Sequence, residues 1–566
     1  MKKSQFRIAE MLTYEQVFIG KPLSTLEYVK LIGKENVLTL ASYFINCDVM
    51  KLQNNPKQFI YDFFTQENSG FVNRLLKVLE NRFGSNFSSS PISTLNFVNN
   101  ISLYHIIETA LSINTSPNAS NQILSKDKLY FFKMFLAENS LHVSRQTPLY
   151  PDEFKSIEEA IRVATACQMA DWDYTHARYS MVCITQMLKC VSFFNFLEQN
   201  LVGHLNLFYE RNNLKSWKEY ARCISNLILP LIKESRGGII QVPNNHVDYN
   251  LVVSILDKLS SEKYEEKDDF DFTRLRNQPL YKMCDDSYLI LSKLFLAEKL
   301  FNSLYFEFKE INDSLGDDLR IDNFKSYIGT HFTEEYLCNF ILFNSFPNRC
   351  VKKTGSMYRA EGFNDSEPDF YARINNKAFL FECKDALFKS SAKVSYNLDM
   401  IINEISEKLY YTKNEKGKIK KKAILQLIRN SERLLTESNI DKNVNTQKVK
   451  IFPIVVVQDK TFCTPGVNWI VNKWFKEELK INYPNLLPHM SSIYIIDIDT
   501  LLLIRHRLRS RKIILEHILD NYHKHMLSND KEINQLSLTE YAYGKLFEHG
   551  SDAKGILEDL KVLIQE

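Results

Sequence analysis

The sequence predicts a mixed α+β or α/β protein: a large N-terminal all-helical region, then a smaller domain built on a mixed central sheet, then C-terminal helices. Three observations carry this. From about residue 13 to 310 apolar residues return every three or four positions, the helical period, as in Phe71-Val-Asn-Arg-Leu-Leu-Lys-Val-Leu-Glu80 and Ser180-Met-Val-Cys-Ile-Thr-Gln-Met-Leu188. Around Asn375-Asn376, two short aromatic and apolar runs flank a pair of turn-forming residues. Later, Lys450-Ile-Phe-Pro-Ile-Val-Val-Val-Gln458 and Ile493-Tyr-Ile-Ile-Asp-Ile-Asp499 are apolar runs of strand length.

The chain has 566 residues, 45% hydrophobic and 25% charged, which is ordinary for a soluble protein with two or more cores. A formal charge of +3 gives no overall basicity, so any nucleic-acid surface must be local. The ten Cys show no Cys-x-x-Cys pairs and no nearby His, which argues against zinc and against a disulfide framework and fits a reducing cytoplasm. The N-terminus starts basic but meets Glu10 and Glu15 before any signal-length apolar core. The best apolar run, Ile451 to Val457, is strand-sized, so no membrane span is expected.

In chain order, Ser88-Ser-Ser-Pro91, Ser116-Pro-Asn-Ala-Ser-Asn121 and Arg236-Gly-Gly238 punctuate the helical part. No fixed repeat period supports a solenoid. Asp171-Trp-Asp-Tyr-Thr-His176 gathers two acids and a His, but reads as a helix start or hydrogen-bonded loop rather than as chemistry, and His246 with Asp248 is read the same way. Lys263 to Asp271 is a solvated charge run. An amphipathic stretch covers Leu280 to Ile311, and the texture changes near Asp318 to Tyr327. The expected domains are therefore 1–318 for recognition or assembly, 319–515 for the sheet domain and 516–566 for a helical extension.

Within the second domain, Gly329 to Leu342 reads as a helix with Thr333 as N-cap. Residues 349–363 form a first strand and its loop, where Lys352, Lys353 and Arg359 could reach phosphate. Leu398 to Tyr410 has helical spacing. Lys413 to Lys422 concentrates Lys413, Lys416, Lys418, Lys420, Lys421 and Lys422, which either solvate a loop or neutralise a nucleic-acid backbone. The Arg505-His-Arg-Leu-Arg-Ser-Arg-Lys512 cluster, with Arg505, Arg507 and Arg509, either grips phosphates or caps and solubilises a helix. Asp497 and Asp499 read as edge or strand-end acids.

The hairpin carries the chemistry. With Asn375-Asn376 as a two-residue turn, Ile374 faces Lys377, and counting outwards sets Asp369 opposite Glu382 on one face. Alternation brings Lys384 to that same face and sends Phe381 and Cys383 to the other. Opposed carboxylates repel unless a cation compensates, and a hard divalent metal does so while retaining waters that can attack a phosphate. Lys384 would orient or deprotonate the water, or neutralise charge in the transition state. The chemistry expected is metal-assisted phosphodiester hydrolysis.

This hairpin resembles the core of the PD-(D/E)xK nuclease superfamily, the restriction-endonuclease-like fold. The resemblance implies that Asp369 and Glu382 hold the metal, that the Cys383 carbonyl is a further ligand and that Lys384 is the catalytic lysine. Glu-x-Lys also occurs at Glu153, Glu265, Glu307 and Glu478, so the triplet alone is unspecific. Pro151-Asp-Glu-Phe-Lys155 spells the motif more literally, but reads as a first helical turn. The helix that precedes such hairpins often lends an acid to the metal. Glu334 has the better spacing, and Glu335 is the alternative. Helix, strand, hairpin, helix and strand follow the αβββαβ order of the family, whose later helix often carries an auxiliary Gln or Lys. Gln426 resembles that residue, although Asn430 stands where a Tyr often follows it.

The resemblance spans about residues 329 to 500. It implies an Mg²⁺-dependent endonuclease, with Mn²⁺ as a substitute, acting on DNA rather than RNA in bacterial restriction or anti-phage defence. The alternative is a non-cleaving nucleic-acid-binding or structural subunit with a nuclease-like fold, working through a partner protein. No phosphate-binding Gly-x-x-x-x-Gly-Lys-Ser/Thr loop occurs, so nucleotide hydrolysis would come from a separate ATPase or sensor protein. Oligomeric assembly is left open.

Overall fold

The computed structural model describes residues 10–47, 56–83, 95–96, 98–113, 122–233, 238–261, 271–284, 286–363, 367–413, 417–437, 440–527, 537–548 and 555–556. The loops at 88–91 and 116–121, Arg236, Gly237, residues 263–270 of the charge run and Lys416 lie outside them. The fold is mixed α+β, with helices predominating and a mixed five-stranded sheet. Two compact units form. One contains 1–150, 177–186 and 209–304; the other contains 151–176, 187–208 and 305–566. No single cut in the chain separates them.

In the first unit the helices Lys34–Asn46, Asn100–Ser112 and Ser125–Gln146 pack together. Phe44, Phe63, Phe131 and Phe135 form an aromatic cluster with ring centroids 4.9 to 6.4 Å apart. This unit is not all helical, as the sequence had led us to expect. Ile239–Gln241, Ser287–Ile290 and Leu280–Cys284 form an antiparallel sheet with Ser287–Ile290 in the middle. All four residues of that central strand are buried, so no polar alternation marks it, and a short apolar run reads as readily as part of a helix.

By length and composition alone the helix Tyr179–Asn200 is long and apolar enough to cross a membrane. However, 78% of its most apolar stretch is buried inside the protein, as in a core helix.

The second unit is built on a sheet whose strands are β1 (Val351–Thr354), β2 (Phe370–Ile374), β3 (Lys377–Lys384), β6 (Lys450–Val457) and β7 (Tyr494–Asp497). A separate two-stranded ribbon, β4 (Tyr411–Lys413) and β5 (Ile419–Lys421), lies between β3 and β6 in the sequence. In space the order is β7-β6-β3-β2-β1. β2 is antiparallel to both β1 and β3, whereas β6 runs parallel to both β3 and β7. Parallel neighbours require crossovers, and helices supply them. Between β3 and β6 the chain forms α2 (Leu398–Leu409) and α3 (Ala423–Thr436), and between β6 and β7 it forms α4 (Val467–Asn482). α3 packs on β3 and β6. After β7 comes α5 (Ile498–Arg509).

The two faces of β3 divide as strand alternation requires. Phe379 and Phe381 meet Phe346, while Cys383 pairs with Cys338 in a disulfide on the same face. One such bond is not a framework, and eight free cysteines remain. Two positions 45 residues apart cannot be matched until helix and hairpin are placed. Glu382 and Lys384 take the opposite face.

Candidate active site

The hairpin forms in the register counted from its turn. Ile374 pairs with Lys377 and the ladder closes at Phe370 with Phe381. Asn375 adopts φ 53°, the left-handed conformation that Asn tolerates better than most residues. Asp369 stands one residue beyond the ladder, where its Oδ2 accepts the Cys383 N–H at 2.7 Å. A strand residue sends its N–H and C=O to the same edge, so the Cys383 carbonyl leaves towards Asp369 as well.

Glu382 is 1% exposed. Its Oε2 lies 3.3 Å from the Lys384 Nζ, and its Oε1 accepts the Asn430 Nδ2 at 3.2 Å. Burial raises the Glu382 carboxyl well above the usual range, and the neighbouring Asp369 carboxylate adds to this. Asp369 is also raised, first by burial, although Lys384 and the Cys383 N–H oppose the shift. Lys384 moves the other way: burial disfavours its charge, but Glu382 and Asp369 outweigh that and hold it protonated. It is therefore an ammonium and not a base in the metal-free protein.

Glu334 joins this group. It sits in one continuous helix, α1, made of Phe324–Tyr327, Ile328–Cys338 and Asn339–Phe343, whose middle section is π-helical. Such widening re-aims side chains and recurs at functional sites. Burial first, then Asp369, pushes the Glu334 carboxyl up to about 8. Glu335 faces elsewhere, paired with Arg359 and with His331 at 3.0 Å. Thr333 is not the N-cap, a role taken by Asn323. Its hydroxyl instead donates to Asp385 at 3.1 Å, and burial raises the Asp385 carboxyl.

The remaining expected residues are dispersed. Gln426 lies half-buried on α3, one turn before Asn430. Asn430 is the functional neighbour that sequence reasoning missed, since it registered only as a departure from a pattern. Arg505 and Arg507 cannot grip phosphate, being 0% and 5% exposed. Both lie on α5, whose buried leucines carry them inward. Arg509 is exposed and donates to Asn344 at 3.2 Å. Arg359 is taken by Glu335 and Glu367, Lys353 by Glu361, and Lys352 lies over the Phe343 ring. Pro151 to Lys155 is a loop before the helix Ile157–Met169, whose N-cap is Ser156. Asp171 accepts the Thr175 hydroxyl at 2.8 Å, and Asp173 pairs with Lys393.

Asp499 is not a strand residue. It lies in the first turn of α5, between Lys189 at 2.7 Å and Lys460 at 2.8 Å. Asp497 caps that helix through the Thr500 N–H. Among the described residues no three His, Cys, Asp or Glu side chains already converge as a metal cage. The donor set available is Asp369 and Glu382, with Glu334 alongside. No protein-family model, curated protein or solved structure matches this chain.

Proposed function

We propose that this chain is a metal-dependent nuclease of the restriction-endonuclease-like kind, hydrolysing phosphodiester bonds in DNA, as restriction or anti-phage defence would use it. The observation that carries the reading is the shared site of Asp369, Glu382 and Lys384 with Glu334 beside it. Two neighbouring acids share a single ammonium, which touches Glu382 and acts on Asp369 only through its field, and a divalent cation is the usual remedy for such crowding. Asp369, Glu382 and the Cys383 carbonyl would hold Mg²⁺ or Mn²⁺, with Glu334 completing the set. Such an ion would neutralise charge at the phosphate and acidify a nearby water.

This chain's own residues supply the rest. Asn430 fixes one oxygen of Glu382, and the Cys383 N–H fixes one of Asp369, so both carboxylates are pre-oriented. The Lys384 ammonium is suited to hydrogen-bond a phosphate oxygen and offset charge as the phosphorus centre becomes more anionic. In that role it acts as an acid or electrostatic partner, not by deprotonating water.

The test is cleavage of duplex DNA, single strands and RNA by the purified full chain with Mg²⁺, beside Asp369→Asn, Glu382→Gln and Lys384→Ala. Calorimetric titration with Mn²⁺ provides a second readout. Loss of turnover in all three variants, with Mn²⁺ affinity lost in the first two, is expected. Cleavage indifferent to all three would overturn the reading. The absence of a preformed cage among the described residues favours a second reading, a nucleic-acid-binding subunit that does not cleave. Binding without turnover would support it.

A further inference from the structure

The lysine run before α3 is a paired ribbon. β4 and β5 are antiparallel, with Ile419 opposite Lys413, Lys420 opposite Thr412 and Lys421 opposite Tyr411. The Lys422 N–H continues the pairing to the Tyr410 carbonyl at 3.0 Å. No third strand joins it among the described residues. Its base is anchored: the Tyr410 hydroxyl donates to Glu478 at 2.5 Å, and its ring stacks on Trp474 of α4. From this same base, after Lys422, the chain leads directly into α3, the helix that sets Asn430 against Glu382.

Alternation sorts the ribbon's side chains. Lys420 and Lys422 share one face with Thr412. Tyr411, Lys413, Ile419 and Lys421 share the other, where Ile419 is 52% exposed. Among the described residues, Lys420, Lys421 and Lys422 have no acidic partner within ion-pair distance. Lys422 is instead disfavoured as a cation, by burial first and then by Lys420, Lys384 and Lys408. Lys422 near the candidate catalytic ammonium, with Lys420 next to it on the ribbon face and no acid within ion-pair distance of either, forms a site for a polyanion.

We propose that this ribbon is the duplex-DNA clamp of the site: Lys420 and Lys422 hold backbone phosphates next to the one presented to Lys384, while the Tyr411, Ile419 and Lys421 face enters the major groove. The inference rests on the nuclease reading and names its substrate class. A two-stranded ribbon fits the major groove of B-form DNA. The deep, narrow major groove of an RNA duplex excludes it. A single strand offers no groove for the outer face to enter.

The test measures binding of the full chain to a labelled DNA duplex, its separated strand and the matching RNA duplex, with Ca²⁺ in place of Mg²⁺. Wild type is compared with Lys420→Gln/Lys422→Gln and with Lys420→Arg/Lys422→Arg, across salt concentrations. Each lost phosphate contact lowers the slope of log affinity against log salt by about 0.9, so the Gln pair should lower it by about 1.8. The wild-type advantage should then shrink about twelve-fold between about 50 and 200 mM salt. The Arg pair should bind as wild type, and Ile419→Asp should weaken duplex binding more than single-strand binding. An unchanged slope in the Gln pair, or RNA duplex bound as tightly as DNA, overturns the clamp. Cleavage by wild type and Gln pair alike, with equal affinity, sinks the clamp and spares the nuclease. Ribbon-dependent duplex binding without any cleavage in Mg²⁺ sinks the nuclease and spares the clamp as a binding device.

Discussion

Replacing Glu334 with Gln should stabilise the metal-free protein at alkaline pH and leave it unchanged in acid. Burial and the Asp369 carboxylate raise Glu334 from an ordinary 4.5 to about 8. Because the folded-state pKa lies above the unfolded one, the wild type loses stability as pH rises from 4.5 to about 8. Below 4.5 both states carry a protonated Glu334, and Gln changes little. At 1.36 kcal/mol per unit the full shift would be at most about 5 kcal/mol. Glu334 is only partly buried, so solvent screening cuts this to about 2 kcal/mol, or roughly 4 °C in Tm for a unit of this size. The assay is thermal unfolding in EDTA at about pH 5 and about pH 8.5, where the difference between Gln and Glu should grow with pH. Added Mg²⁺ should shrink it, because only the wild type keeps the full donor set. A Gln variant less stable than wild type at alkaline pH, or a difference that ignores pH, would refute the claim that the site is short of positive charge.

Asn430→Ala removes the donor that orients Glu382, and a lost partner of this kind lowers metal affinity or activity by about 10 to 100-fold. Titration with Mn²⁺ and single-turnover cleavage should both register the loss. Asp499→Asn strips the shared partner from Lys189 and Lys460, and an uncompensated buried charge costs about 3 to 5 kcal/mol, to be read as a fall in urea midpoint.

The hairpin was legible because local rules fix it. A residue that tolerates positive φ marks the turn, and once the turn is set, register follows by counting. Glu334 was legible as one of two neighbours, and only the π-helical widening and the capture of Glu335 by Arg359 and His331 separate them. Asn430 was not legible. Its role exists only because α3 lies across β3, a tertiary fact that no helical period states. The ribbon reads as a loop because half of its strand residues are lysines and its strands are only three residues long, too short for alternation to show. Arg505 and Arg507 failed for the opposite reason, since charge in a sequence says nothing of burial. Ser287–Ile290, buried on both faces, lost the alternation that would have shown it to be a strand.

Two buried charge clusters in the same unit distinguish structure from function. At Asp499 two lysines surround one carboxylate; burial works against ionisation, but Lys189 and Lys460 overcome it and hold the acid well below its usual range. With Asp497 also acting on both lysines, the cluster sets two lysines against two acids. At Asp369, Glu382 and Glu334 the balance differs. A single Lys384 faces three carboxyls, and all three are raised. Asn430 can orient an oxygen but adds no charge. Local packing could have removed such a deficit by placing a lysine for each acid, as it did at Asp497 and Asp499. Three carboxyls whose ionisation is held back beside one ammonium are an arrangement that a bound cation would relieve, by favouring their charged forms.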